Sequence, residues 1–419
     1  MIRKITLAGI FIILLCRNNL AYPDGVLLQD MPQLPKDAAL DEREDMFGYR
    51  GRVGAFVLPP SRVGVYFDDS ENYVPAGKEV KEPTEAPKVD TGVKGGVKEF
   101  MREDESIKIT YEKAVGDKTF CGAYIVIKGD LSKYKTMTFM IKGKTGEETF
   151  EIGMNDIISN RREDAVIIGS ICRFLPNSIT TDWQEVKIPL SDFYGPDLSK
   201  VYSIIFHFNE EGKGTFWIDD IRFHEELLVD REKEIRKKGY LLLDDFDHAT
   251  TVNLLARKTN TYKKLPSVCR MAWDKNVRYG DKGRSLKLIY DKKSAGWCGY
   301  YTLLNQIDGE YYDLSGYDRV SFMVRGEKGG ESFELGMADK NWLIIGDSLK
   351  AGQIEKYLPS GVTTEWQEAV IPLKDFGMLD FSEMGSFVIN FNKKQSSVVY
   401  IDDIKFHLTK SERKEGGGQ

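Results

Sequence analysis

The chain is predicted to be all-β, with two antiparallel β-sandwich domains in tandem. Three observations carry this: a long register that occurs twice, period-two side-chain alternation in both copies, and no sustained helical period in either.

The duplication comes first because it sets the domain count. "TTDWQEVKIPLSDF" (Thr180 to Phe193) returns as "TTEWQEAVIPLKDF" (Thr363 to Phe376), and "DLSKYKTMTFMIKG" from Asp130 as "DLSGYDRVSFMVRG" from Asp313. "GEETFEIGMND" from Gly146 answers "GGESFELGMAD" from Gly329, and "WIDDIRFH" from Trp217 answers "YIDDIKFH" from Tyr400. Upstream, "SIKITYEK" at Ser106 pairs with "SLKLIYDK" at Ser285, after which the second copy carries a longer "NQIDGEYYDL" loop. Earlier still, "GVYFDD" ending at Asp69 is set against "YLLLDD" ending at Asp245. A period of about 180 residues is far beyond the 20–50 of solenoid repeats, so each copy is a domain.

The expected organisation is a signal peptide over 1–21, an irregular leader over 22–61, one domain over 62–226, a charged linker over 227–237, a second domain over 238–409 and a disordered tail over 410–419. The signal reading rests on basic "MIRK", the apolar run "ITLAGIFIILLC" and a cleavage position after Ala21. A retained anchor, or lipidation at Cys16, are the alternatives left open. The expected destination is secreted, periplasmic or cell-surface. "AGKEVKEPTEAPKVDTGVKGG" reads as a loop within the first copy.

Alternation supplies the strands. Met137, Phe139 and Ile141 fall on one face, as do Val320, Phe322 and Val324 in the second copy; Phe150, Ile152, Met154 and Ile204, Phe206, Phe208 repeat the pattern. In the opening motif, Trp183 reads as a core-edge aromatic and "VKIPL" as a strand whose Pro189 suits an edge or bulge.

Charge and motifs narrow the function. The formal charge of −6 becomes −9 once Arg3, Lys4 and Arg17 leave with the signal, so the mature chain has no basic field for nucleic acid. GxSxG, P-loop, dinucleotide-binding glycine and HExxH patterns are all missing, and no motif isolates a carboxylate pair, so the chain is not expected to be an enzyme. Cys121, Cys172, Cys269 and Cys298 remain after export, an even number that permits disulfides, without zinc spacing.

"DDF", "YDLSGYDRVSFMVRG", "TTEWQEAVIPLKDF" and "YIDDIKF" resemble the galactose-binding-like β-jelly-roll domains, especially family 11 carbohydrate-binding modules and the complex I intermediate-associated protein 30 domain. The resemblance implies two jelly rolls, a noncatalytic role and a polysaccharide or cell-surface glycan as partner. It also implies a structural Ca²⁺ between acids near the first and last strands. Asp69 with Asp219, and Asp245 with Asp402, match those positions, the binding member of each Asp doublet being open. The rival function is a structural or assembly protein of the cell envelope with protein partners.

Glycan recognition needs aromatic faces and fixed polar side chains on the surface opposite the core. By alternation the first copy offers Lys142, Glu151, Asn155, His207 and Asn209, and the second Arg325, Glu334, Asn390 and Asn392. Tyr124, Trp297, Tyr300, Tyr301 and Trp342 are the aromatic candidates, read as lying in nearby loops. Lys142 with Glu151 and Arg325 with Glu334 read alternatively as cross-strand charge pairs. The second copy, richer in aromatics, is expected to be the better binder; two domains on a short linker suit bivalent capture or a spacer.

Overall fold

The computed structural model describes residues 52–68, 106–116, 119–158, 165–175, 177–305, 310–410 and 412. The signal segment, most of the leader, the charged loop after Asp68, Asp69 itself and nearly all of the tail lie outside the described residues.

The first repeat contains β1 (Arg52–Val57), β2 (Arg62–Asp68), β3 (Ser106–Lys113), β4 (Cys121–Gly129), β5 (Thr136–Gly143), β6 (Glu151–Asp156), β7 (Val166–Ser170), β8 (Gln184–Pro189), β9 (Val201–Phe208) and β10 (Gly212–His224). Helix α1 (Arg231–Lys238) follows, capped by the Asp230 carboxylate on the Lys233 N–H and stopped by Gly239 in the left-handed region. The second repeat contains β11 (Tyr240–Asp244), β12 (Thr259–Lys264), β13 (Val268–Asp274), β14 (Ser285–Lys292), β15 (Trp297–Leu303), β16 (Tyr317–Gly326), β17 (Glu334–Asp339), helix α2 (Lys340–Ile344), β18 (Leu349–Gln353), β19 (Gln367–Pro372), β20 (Met384–Phe391) and β21 (Gln395–Leu408).

Each repeat is two antiparallel sheets face to face. The orders are β1-β4-β9-β6-β7 with β2-β3-β10-β5-β8, and β12-β15-β20-β17-β18 with β13-β14-β21-β16-β19, so the two sandwiches match strand for strand. This is the all-β tandem sandwich that the alternation and the duplicated register predict, in the jelly-roll form that the family resemblance implies. No helix among the described residues is long and apolar enough to cross a membrane.

Two boundary readings change. The leader is not irregular throughout, because Arg52–Val57 is β1, paired with β4 as β12 is with β15. The match of "GVYFDD" to "YLLLDD" is also wrong. β2 pairs β3 with Asp68 opposite Ser106, and β13 pairs β14 with Asp274 opposite Ser285, so β2 corresponds to "VCRMAWD". "YLLLD" is β11, an added strand on β21. Shared acidic endings misled because a "DD" after an apolar run marks a strand end without saying which strand ends there.

The inward faces are those expected: Met137, Phe139, Ile141 and Val320, Phe322, Val324 are all buried. Aromatic stacks repeat as well, with Tyr111 on Phe208 at 4.1 Å and Tyr290 on Phe391 at 3.7 Å between ring centroids. Cys121, Cys172, Cys269 and Cys298 are all buried free thiols, so none of the permitted disulfides forms.

The opening motif is a brace. The Gln184 and Gln367 side-chain oxygens accept the Thr180 and Thr363 N–H at 2.8 Å each, while the Thr180 and Thr363 carbonyls accept Gly143 and Gly326 N–H, also at 2.8 Å. Pro189 closes β8, which pairs only with β5 and is an edge strand, where its missing N–H costs no ladder bond. Gly326 is required by close approach: a Cβ there would strike the buried Glu331 carboxylate, which accepts the Lys328 N–H and the Ser397 hydroxyl at 2.8 Å each. Gly326→Ala is expected to cost about 1–3 kcal/mol by overpacking, read as a lower urea midpoint. An unchanged midpoint would show that Glu331 moves aside freely.

Candidate functional site

The outer face of the β12 sheet gathers one cross-strand row. Tyr262 on β12 lies opposite Gly299 on β15, Gly299 opposite Asn390 on β20, and Glu334 on β17 lies between Asn390 and Gln353 on β18. With no Cβ at Gly299, the Tyr262 ring passes over β15 and its hydroxyl donates to Asn390 Oδ1 at 3.2 Å. Asn390 Nδ2 donates to Glu334 Oε2 at 3.4 Å. One phenol, one amide and one carboxylate are thus pre-arranged across three strands, with donors and acceptors suited to vicinal hydroxyls.

Beside this row stands Trp297, which opens β15 and is 51% exposed. It lies opposite Lys264, whose Nζ is 4.3 Å from the ring centroid, a cation–π contact that fixes the indole. Tyr301 occupies the same face, between Asn260 and Val388, so Trp297, Tyr300 and Tyr301, like Tyr124 on β4, are strand residues and not the loop residues expected. An exposed, oriented indole beside a polar row is the surface on which a pyranose can stack and be hydrogen-bonded.

Other candidates in the second repeat fall elsewhere. Tyr300 is fully buried, one residue out of phase with Tyr301, and burial pushes its hydroxyl pKa well up, so it is a core residue. Trp342 sits on α2, beyond the end of β17 remote from Glu334, and packs against the core. Arg325 belongs to β16 and lies opposite Tyr400, so it is on the other sheet from Glu334. Asn392 is past the end of β20, exposed in the turn to β21. Alternation assigns a residue to a face of its own strand, and cannot say which sheet the strand joins. For the same reason Lys142, opposite Trp217 on β10, is not a partner of Glu151 on β6; neither proposed charge pair exists as such.

Tyr262 and Lys264 were not among the candidates, although "TNTYKK" alternates. Polar residues on both faces hide a strand whose inward phase is Thr259, Thr261 and Lys263.

In the first repeat Glu151 and His207 are neighbours on β6 and β9, with Nδ1 to Oε2 at 3.0 Å. They correspond to Glu334 and Asn390. Tyr124 projects from β4 across Gly54. Asn155 is buried and accepts the Ser203 hydroxyl at 2.7 Å. Asn209 lies past the end of β9 and donates to the Ala249 carbonyl at 2.6 Å.

Asp219 and Asp402 lie within β10 and β21, where the register with β5 and β16 shifts, and Asp245 follows the end of β11. Asp402 is 3% exposed; burial, with Asp403 and Asp247 adding repulsion, pushes it up to about 8. Burial and Asp245 push Asp247 up to about 6, and burial with Asp245 and Asp402 raises Asp244 well above the usual range. In the first repeat, Asp219 is buried and accepts the Asp220 N–H at 2.7 Å. Among the described residues no three His, Cys, Asp or Glu converge at metal-ligand spacing. Asp245 and Asp247 also line a cavity of about 390 Å³ between the repeats, with Glu148, Glu210, His248 and Arg284.

A twofold jelly roll with an aromatic and polar outer face is a tandem of carbohydrate-binding-module type. The family model for carbohydrate binding domain 30 matches residues 63–225 and 253–408, most of the chain, and the chain belongs to that family, in two copies. Among solved structures, it is similar to the family 11 carbohydrate-binding module of cellulosomal cellulase Lic26A-Cel5E of Clostridium thermocellum, at 17% identity and TM-score 0.31 over 41% of this chain and 95% of that one. The family 30 module of cellulosomal cellulase Cel9D-Cel44B of the same organism is 28% identical, at TM-score 0.28 over 33% of this chain and 83% of that one. The CBM22-1–CBM22-2 tandem of Paenibacillus barcinonensis Xyn10C is 10% identical, at TM-score 0.26 over 85% of this chain and 93% of that one. A search of curated proteins finds no match.

Proposed function

We propose that the protein is an exported, noncatalytic carbohydrate-binding protein that holds a polysaccharide or cell-surface glycan on the outer face of the β12 sheet. The observation that carries this is the exposed Trp297, clamped by Lys264, beside the Tyr262–Asn390–Glu334 row. A flat apolar patch would favour a protein partner in the envelope; a face of one exposed indole and a hydrogen-bonded polar row favours a sugar. Export rests on the signal-like first 21 residues.

Affinity electrophoresis of the mature chain against β-glucans, mannans, xylans and galactans tests the reading. Retardation by at least one polymer is expected, and its loss in Glu334→Gln. Free migration through all four would turn the assignment to the structural and assembly role.

The same proposal includes a structural Ca²⁺ in the second repeat. Carboxylate oxygens suit a hard cation, and Asp245 and Asp402 are the side chains that would contribute to it; since no three such groups converge among the described residues, backbone carbonyls and water would complete the shell. In the first repeat Asp219 would contribute; Asp69, outside the described residues, is no counterpart of Asp245. Bound calcium would tie the end of β11 to β21 by charge neutralisation. Calcium at about one hundred times its Kd is expected to stabilise the fold by about 2.7 kcal/mol, reversed by EDTA. A melting temperature indifferent to both additions would remove the metal from the proposal.

A further inference from the structure

The two outer faces have different fates. Glu151 opens β6 as Glu334 opens β17, and each lies opposite the central residue of its row, His207 or Asn390. Yet both carboxylate oxygens of Glu151 are taken. Oε2 meets His207 Nδ1 at 3.0 Å, and Oε1 accepts the hydroxyl of Thr250, from the second repeat, at 2.7 Å.

Thr250 belongs to the segment between β11 and β12, and its neighbours follow the same course. The Ala249 carbonyl accepts Asn209 Nδ2 at 2.6 Å, Val252 lies against Gly169 on β7, and the Leu254 carbonyl accepts Arg173 Nη2 at 3.2 Å. Ala256 is fully buried within the first repeat's hydrophobic core cluster. The segment is therefore laid along the β9-β6-β7 side of the first repeat.

It is a formed element of the second repeat. Asn253, 1% exposed, donates to Thr302 Oγ1 and the Leu303 carbonyl at 2.8 Å each, and accepts the Leu255 and Arg257 N–H at 3.0 Å each. Leu255 packs in the second repeat's core. Around it, Arg231 of α1 reaches both oxygens of Asp192 at 3.0 Å, the Arg257 guanidinium stands 4.4 Å from the Tyr194 ring, and Arg284 pairs with Glu210. A loop braced from its own domain and bonded at both ends of the contact is a docking element.

We infer that the outer face of the first repeat is a docking surface for residues 249–256 of the second, so that the tandem presents one glycan face in a fixed orientation. This rests on the proposed function for the open face, and on the hydrogen bonds above for the covered one. The bivalent capture suggested by the duplicated sequence is then excluded, because the first repeat's carboxylate is spent on Thr250.

The test uses the full chain with two readouts. By hydrogen exchange, peptides covering 249–256 and β6–β7 are expected to be protected together, and Asn209→Ala combined with Thr250→Ala to accelerate both by about tenfold or more. Acceleration confined to 249–256 would overturn the docking. By affinity electrophoresis, on whichever of the four polymer classes retards the wild-type chain, Glu334→Gln with Asn390→Ala is expected to abolish retardation entirely. Residual retardation, or loss on His207→Ala with unchanged thermal stability, would overturn it. If no polymer retards the wild-type chain, the glycan reading fails, while hydrogen exchange still decides the docking.

Discussion

Trp297→Ala is expected to weaken polysaccharide binding by the full chain about thirtyfold or more, with little effect on stability. A desolvated aromatic anchor typically carries about 2 kcal/mol or more of a binding free energy, and about 1.4 kcal/mol is a factor of ten. Trp297 has the geometry for that role: half its surface is exposed, it opens a strand of the sheet that holds the polar row, and Lys264 holds its ring in place. The stem of β15 does not depend on the indole, since Cys298 and Tyr300 carry the inward face. Trp342→Ala is the contrasting case. That ring packs against the core, so its loss is expected to lower the melting temperature and leave affinity in the folded fraction unchanged. Affinity electrophoresis with thermal unfolding of both variants separates the two. Equal retardation of Trp297→Ala and wild type would sink the assignment of the face.

Asp192→Ala is expected to destabilise the chain by about 3–5 kcal/mol. Its carboxylate is buried and joins Arg173 at 2.6 Å and Arg231 at 3.0 Å. Arg173 is itself buried, and burial draws its pKa down to about 10 despite the Asp192 charge. Removing the carboxylate leaves two guanidinium groups near each other at the junction of the repeats, one of them unable to regain water. The exposed pair Lys187 with Glu185 offers the control, where truncation should change stability by no more than about 1 kcal/mol. Urea unfolding of both variants measures the difference. A loss for Asp192→Ala no larger than for the exposed pair would mean that the junction relaxes and rehydrates, and the repeats are not rigidly joined there.

Much of the fold was legible because its signals are local and doubled. Alternation in "MTFMIKG" and "VSFMVRG" marks the same inward positions, and the shared brace of Thr180 with Gln184 and Thr363 with Gln367 explains why that motif is kept twice. The site was legible only in part. Trp297, Tyr301, Glu334 and Asn390 share one face, but Tyr300 is out of phase with its neighbour Tyr301, and Arg325 faces outward from the other sheet. Tyr262 was missed because its strand lacks an apolar inward row. The first repeat showed the opposite error: Glu151, His207 and Asn209 were identified as outward-facing, and the structure uses Glu151 and Asn209 to hold the other repeat.

The residue pattern is enough to make the chain a duplicated, acidic β protein and to mark the buried faces of its apolar strands. Each of those properties depends on residues close together in the chain or on comparing one copy with the other. Tertiary structure alone decided which strands share a sheet, which polar groups meet across it, and which of two equivalent faces stays open. The Tyr262 to Asn390 contact spans 128 residues and the Thr250 to Glu151 contact 99. No periodicity records a partner at that separation, because a hydroxyl offered to water and one offered to a carboxylate on another domain are the same residue until the domains pack.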